Sequence, residues 1–291
     1  MTCCVAALCD SRKAIVLAAD KMIGMGAIES EPNISKIFRL HKDWWVMVAG
    51  NDVSPAFDII DRAKAKLARR NVVGVEVATR VVSEAYQQKR AEEAEAKYLA
   101  PLGWTLRKFN SSSSTRVIPD TARANLSYMI QSHSLQVSLL VAGFESRGQA
   151  HIFNVDDDEN RGNPRRHDIP GYHSIGSGSF GAMYMMAYRD LCPTMPVREA
   201  LYYVAEGKYF GELASGVGTR TDLYILRFRE PRTRITEKAV DDKLMKLCER
   251  LQPRELGKIE VEVLNSLHGQ RMDAIPKLKL RREGKKPIIT T

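Results

Sequence analysis

A threonine stands directly behind Met1 in the opening stretch MTCCVAALCD. Initiator methionine is normally trimmed when the next residue is small, so maturation is expected to leave Thr2 with a free α-amino group. A threonine hydroxyl is a poor nucleophile at neutral pH and needs a neighbouring base, whereas an α-amino group titrates at about 7.7–8.0. One terminal residue can therefore supply both the attacking oxygen and the proton acceptor. The other chemistry-bearing types are arranged less tellingly. Cys3, Cys4, Cys9, Cys192 and Cys248 make an odd number without C-x-x-C pairs, which argues against a disulfide framework and against a zinc site. The six histidines show no metal-ligand spacing, and the methionines at 183, 185 and 186 read as core filler.

The elements that must hold Thr2 follow from the apolar runs. CVAALC (4–9) and AIVLAA (14–19) flank the polar turn 10–13, a hairpin whose strands are buried on both faces. IFRL (37–40) and WWVMVAG (44–50) form a second hairpin around 41–43. Ser54 as N-cap and Pro55 at the first helical position open a helix to about Arg69, with Ala56, Phe57, Ile59, Ile60, Ala63 and Leu67 as its apolar stripe. A second helix from about Val75 becomes uniformly polar at KRAEEAEAK (89–97), and its far end is expected to project from the core. From Pro101 to about Ser134 no period is sustained; this is an insertion or long loop, and whether it holds a short helix around 121–130 is left open.

Strands resume with VSLLVAGF (137–144) and AHIFNV (150–155), joined by the turn 145–148, and a polar stretch (156–170) leads to a short strand ending in SIGSGS (174–179). Ser179 is expected to cap a helix that turns Phe180, Met183, Tyr184, Met186 and Ala187 toward the core. Pro196 opens another with Val197, Ala200, Leu201 and Val204 inward. DLYILRF (222–228) is a strand, and charged helical segments at about 240–251 and 255–264 lead into a basic tail. Strands, two helices, strands, two helices and strands in that order favour two stacked sheets between helical layers.

At 291 residues and 44% hydrophobic content, one globular domain with additions is expected. The net charge is +9, but six basic residues and Glu283 place +5 of it in the last fifteen residues. The excess is a solvated tail, and nucleic acid is not the expected partner. No run reaches the roughly 18 apolar residues of a membrane span, and Asp10, Arg12 and Lys13 interrupt the N-terminal apolar stretch against a signal peptide. A soluble protein of a reducing cytoplasm, with no membrane partner, is expected.

TCCVA (2–6), LAAD (17–20), NISKIF (33–38), VAG (48–50), SIGSGS (174–179) and PVREALYYVAEG (196–207) together resemble one family in content and order. That family is the proteasome β-subunit type of N-terminal-nucleophile (Ntn) hydrolase, with its bacterial proteasome-like relatives. Asp20 and Lys36 are sixteen residues apart and Lys36 and Gly50 fourteen, the spacings the family shows, and the resemblance spans roughly residues 2–230. It implies an α+β fold, a four-layer αββα sandwich with a mid-chain insertion at about 100–133. Residues 1–235 would form the Ntn domain, and 236–291 a charged helical extension and basic tail.

The same resemblance implies a threonine-type peptidase using Thr2 after loss of Met1. Lys36 would supply a cation that favours the neutral amine and eases loss of the hydroxyl proton. Asp20 would pair with it. Gly50 would bring a backbone N–H to the oxyanion, a contribution of a few kcal/mol. Ser177 would hydrogen-bond the terminal amine and Ser215 would be the third polar partner near it, while the family's supporting aspartate falls on Glu212, one methylene longer. Two more residues than usual lie between Thr2 and Asp20 and are placed in the 10–13 turn; otherwise Cys4 would occupy the nucleophile position, after loss of Met1, Thr2 and Cys3. No cofactor is implied. The implied partners are a peptide or unfolded protein substrate, further copies in a homo-oligomeric ring, and an ATPase regulator. A catalytically silent ring subunit and a small-molecule Ntn amidase are the alternatives. Silent subunits usually carry an N-terminal extension, whereas one residue precedes Thr2, which favours the enzyme.

Overall fold

The N-terminal hairpin forms as its apolar runs dictate: β1 (Cys4–Cys9) pairs antiparallel with β2 (Ala14–Asp20) in unbroken register from Cys4↔Ala19 to Cys9↔Ala14. Asp10, Ser11 and Arg12 make the turn at φ of 50°, 55° and 65°, a left-handed run that L residues adopt only when their surroundings enforce it. Here Asp10 N–H donates to Met195 O at 2.8 Å and Val197 N–H to Asp10 Oδ1 at 2.9 Å. The computed structural model describes residues 2–25, 28–111, 118–157, 161–229 and 234–239.

Among the described residues, two five-stranded antiparallel sheets result. One runs in the order β5 (Ile37–His41), β6 (Trp44–Gly50), β7 (Val137–Phe144), β8 (Ala150–Val155) and β9 (Arg165–Arg166). The other runs β10 (Tyr172–Ile175), β1, β2, β11 (Thr221–Arg229) and β12 (Arg234–Ala239), while β3 (Ile23–Met25) and β4 (Ile28–Ser30) form a small ribbon. Six α-helices stand among the described residues: α1 (Ser54–Leu67), α2 (Val75–Ala94), α3 (Leu106–Phe109), α4 (Asp120–Gln131), α5 (Ser179–Tyr188) and α6 (Val197–Gly211). None is long and apolar enough to cross a membrane.

Alternation along each strand distributes its side chains between two cores. Cys4, Ala6 and Leu8 join Leu17, Met47, Leu140 and Ile152 in a cluster shared by the two sheets. Val5, Ala7, Val16 and Ala18 meet Ala182 and Met186 of α5 and Leu201 and Val204 of α6. Trp44, Val46 and Val48 meet Ile59 and Ala63 of α1 and Val82 of α2. Strands buried on both sides read as continuous apolar runs for this reason.

The details depart from expectation in several places. The N-cap of α1 is Val53, so Ser54 is its first residue and Asp52 Oδ1 accepts the Ser54 N–H at 2.8 Å. The far end of α2 does not project: Ala94 and Leu99 are buried, Tyr98 packs edge-on to His133 at 5.7 Å, and Arg90 Nε donates to His133 O at 2.6 Å. The helix left open at 121–130 is α4, which contributes no buried side chain.

The core-facing side of α5 is also rotated from the expected one. Phe180 and Tyr184 are exposed, as is Ala187, while Ala182, Met185 and Met186 face inward. The cause is close approach of α6: a side chain at Gly181 would meet Phe210 O at 2.6 Å, so small residues occupy the crossing and the aromatic row turns outward. The boundary expected at 235/236 falls within β12, whose ladder with β11 runs from Tyr224↔Ala239 to Arg229↔Arg234. The helices expected at 240–251 and 255–264 and the basic tail lie outside the described residues.

Candidate active site

Antiparallel pairing collects particular strand ends at one end of the sheets. The start of β1 lies beside the ends of β2 and β10 (Cys4↔Ala19, Cys4↔Ile175), and β11 begins beside Asp20 (Thr221↔Asp20). In the other sheet the start of β5 lies beside the end of β6, through Ile37↔Met47. Thr2 precedes β1, Asp20 ends β2, Lys36 precedes β5 and Gly50 ends β6, so the pairing itself explains why these four positions converge.

Lys36 Nζ stands 2.8 Å from Thr2 Oγ1 and 3.1 and 3.0 Å from Asp20 Oδ1 and Oδ2. All three are withdrawn from solvent: Thr2 is 3% exposed, and the side chains of Asp20 and Lys36 are 0% and 11% exposed. The Asp20 carboxylate also accepts backbone N–H groups from Cys3 at 2.8 Å, Met22 at 3.0 Å and Gly218 at 3.1 Å. A buried ion pair is tolerated when its remaining donors and acceptors are met in this way.

Ser177 Oγ accepts the Thr2 N–H at 3.2 Å, and Gly178 N–H donates to Thr2 O at 3.1 Å. While Met1 is attached, the Thr2 nitrogen is a peptide nitrogen; its loss would convert the same atom into an amine. Gly176 has φ 94°, and a side chain there would come within 2.2 Å of Thr2 O, so this approach requires glycine. Gly50 lines one pocket with Thr2 and Lys36. It also has a packing reason to be glycine, because a Cβ would lie 2.7 Å from Val137 Cγ1 and 2.8 Å from Gln136 O.

Glu212 and Ser215 lie in the turn after α6. Glu212 Oε1 is 2.5 Å from Nζ of Lys208, which is 1% exposed and donates to Gly218 O at 2.7 Å and Thr219 O at 3.2 Å. A chain of contacts runs from Glu212 through Lys208 and the 218–219 backbone to Asp20 and Lys36. Ser215 is exposed in the turn after α6, and among the described residues no hydrogen bond joins it to Thr2 or Lys36. Neither Lys208 nor Gly176 stands out in the sequence by a chemical pattern of its own. The one signal for Lys208 is its register, four residues after Val204 and three after Ala205 on the inward face of α6.

Cys4 is no competitor of Thr2 for the nucleophile's place. It is fully buried in the cluster shared by the sheets, its Sγ 3.6 Å from Val48 O, and burial pushes its thiol well up. Burial likewise pushes Cys3 up to about 12, with Sγ 3.9 Å from Ser174 Oγ. Thiols held protonated in this manner are inert. Among the described residues no group of three or more His, Cys, Asp or Glu side chains is placed to hold a metal ion.

A hydroxyl facing a buried ammonium is electrostatically favoured to give up its proton and carry negative charge. No protein-family model matches the sequence, and comparison with curated proteins gives no match.

Proposed function

We propose that the chain is a threonine-type peptidase, an Ntn amide hydrolase of the proteasome β-subunit kind that becomes active when Met1 is removed. The observation that carries this reading is the 2.8 Å contact between Lys36 Nζ and Thr2 Oγ1, with Lys36 fixed in turn by Asp20. The arrangement of two sheets with a helix pair against the outer face of each supports the four-layer αββα sandwich of that fold.

In this reading the freed Thr2 amine takes the Oγ1 proton while Oγ1 attacks a peptide carbonyl, forming the C–O bond and moving the carbonyl electron pair onto oxygen. The backbone N–H of Gly50 meets that oxyanion. Collapse breaks the C–N bond, and the leaving amine departs with the proton held by the Thr2 ammonium. Water, deprotonated by the neutral amine, then hydrolyses the ester and regenerates Thr2. The chain's own residues supply every group these steps use.

The exposed row Phe180, Tyr184 and Tyr188 on α5 supports self-association, as a ring requires, since large apolar faces of this kind are usually covered by a partner. An ATPase regulator and a cytoplasmic site of action belong to the same reading. Intact-mass measurement after expression, with Thr2→Ala kinetics on fluorogenic peptides, tests the chemistry. Loss of Met1 and loss of turnover in Thr2→Ala are expected; a mature mass retaining Met1, or unchanged turnover in the variant, rejects it. Light scattering on the same sample is expected to give a multiple of the chain mass, and a monomer removes the ring.

A further inference from the structure

A pocket of about 330 Å³ opens beside Thr2 Oγ1, between the start of β5, the end of β6 and the first turn of α1. Its walls are Met22, Ile34, Phe38, Val48, Val53 and Phe57. The rings of Phe38 and Phe57 meet edge to face, with centroids 5.4 Å apart and planes at 84°. Ile34 is 54% exposed and Phe57 43% exposed, so two large apolar side chains stand in water at this pocket. Phe57 lies in the apolar stripe of α1, yet Ile59, Ile60, Ala63 and Leu67 are buried and it is not. Apolar surface held in solvent around a concavity marks a place where something apolar docks.

Among the described residues, the one cation of the pocket lining, Lys36, offers no place for an acidic side chain. Lys36 has three N–H donors, and Thr2 Oγ1 and the two oxygens of Asp20 already take them. None remains for an acidic substrate side chain. The carboxylate of Asp52 is exposed, and its Oδ1 accepts the Ser54 N–H at 2.8 Å. A pairing made at an exposed carboxylate is screened by water and adds little. A charged group pushed against these walls would lose its hydration without a partner.

We propose that this pocket selects a large apolar side chain, leucine-sized or aromatic, on the residue whose carbonyl is attacked, with the Phe38–Phe57 pair setting the preference. The proposal rests on Thr2 as the nucleophile. A hydrophobic pocket distinguishes side chains differing by a single methylene by about 10- to 200-fold, and phenylalanine differs from alanine by a whole ring.

The test uses the processed full chain and a set of peptidyl epoxyketones and matched fluorogenic peptides. They differ only in that residue: Phe, Leu, Ala, Arg or Glu. Phe and Leu are expected to exceed Ala by at least about tenfold in labelling rate and in kcat/KM, and to exceed Arg and Glu by more. In Phe57→Ala the Phe-to-Ala ratio is expected to fall by about tenfold or more, because half of the ring pair is gone.

Adducts at Thr2 with a flat profile, or with Arg or Glu preferred, overturn the pocket assignment and leave the nucleophile standing. An unchanged Phe-to-Ala ratio in a Phe57→Ala protein that still labels at Thr2 overturns the role of the ring pair. Absence of any Thr2 adduct with every compound removes both the nucleophile and the pocket assignment.

Discussion

Two charged side chains under this site, Asp20 and Lys208, are 0% and 1% exposed, and each is tolerated only because its lone pairs or protons are met. Lys208 is the less obvious of the two. It pairs with Glu212 and holds the Gly218 and Thr219 carbonyls, and the N–H of the same Gly218 donates to Asp20. A fault at Lys208 should therefore be felt at Lys36 and Thr2 without either being touched. Lys208→Met leaves a half-buried carboxylate and two carbonyls without their cation. It is expected to cost about 3–5 kcal/mol of stability, read from the denaturant midpoint. It is also expected to slow epoxyketone labelling of Thr2. Adding Glu212→Gln removes the charge that Lys208 balanced, so the double variant should regain part of the lost stability. Equal stability of Lys208→Met and wild type would sink the relay.

At the level of elements, what was legible depended on what each element packs against. The buried strands could be read because both faces of β1, β2, β6, β7 and β8 meet apolar layers, and Thr2, Asp20, Lys36 and Gly50 could be placed because antiparallel pairing converts strand ends into neighbours. Glu212 and Ser215 lie in the irregular turn after α6, where residue spacing carries no fixed geometry, whereas Lys208 is a lysine on the inward, mainly apolar face of α6, a place where charge is not expected. The aromatic residues of α5 resembled a core face, although Gly181 and Ala182 carry the contact with α6. The end of α2 looked solvated because its partners are polar. Arg62 reaches Glu92 at 2.7 and 2.6 Å, Lys89 reaches Asp58 at 2.5 Å, and Arg90 reaches the carbonyls of Gln131 and His133 at the end of α4. Those last bonds tie the insertion to α2, beside the approach of Glu93 to His133 at 3.8 Å and of Glu95 to the Leu106 N–H at 2.7 Å. Arg90→Ala leaves the carbonyl of the buried His133 without its donor and is expected to cost about 1–3 kcal/mol. Amide hydrogen exchange should accelerate across residues 120–132 while the amides of β6 and β7 keep their protection. Unaltered exchange in α4 would show that other contacts hold it.

Across the whole molecule, the two sheets meet not only through apolar side chains but through a pair of histidines. His173 lies in β10 of one sheet; His167 follows β9 and takes up Asn154 of β8, in the other, through Nε2···Oδ1 at 2.7 Å. Their rings stack with centroids 3.6 Å apart and planes at 4°. Burial, reinforced for both by Arg165 and for His173 by His167, lowers His167 to about 4 and His173 to about 3. In the unfolded chain both return to about 6.5. Between about pH 6.5 and about pH 4 the unfolded state therefore binds protons that the folded state refuses, so stability is complete above that window and is lost as pH falls through it. Asp168 acts lower on the scale: burial pushes its carboxyl up, but bonds from His151 and Arg166 outweigh that and hold it below the usual carboxylate range. Its contribution is present above about pH 3.9 and is lost only as pH falls below that. At about 1.36 kcal/mol per pKa unit, each histidine should cost about 2 kcal/mol at pH 5. Denaturant midpoints at about pH 7.5 and about pH 5 should differ accordingly in the wild type, and His173→Phe, which keeps a flat ring in the stack without a proton to accept, should reduce that difference by about half. A wild type equally stable at both pH values would mean that the stacked pair takes up protons in the folded protein as readily as in the unfolded chain.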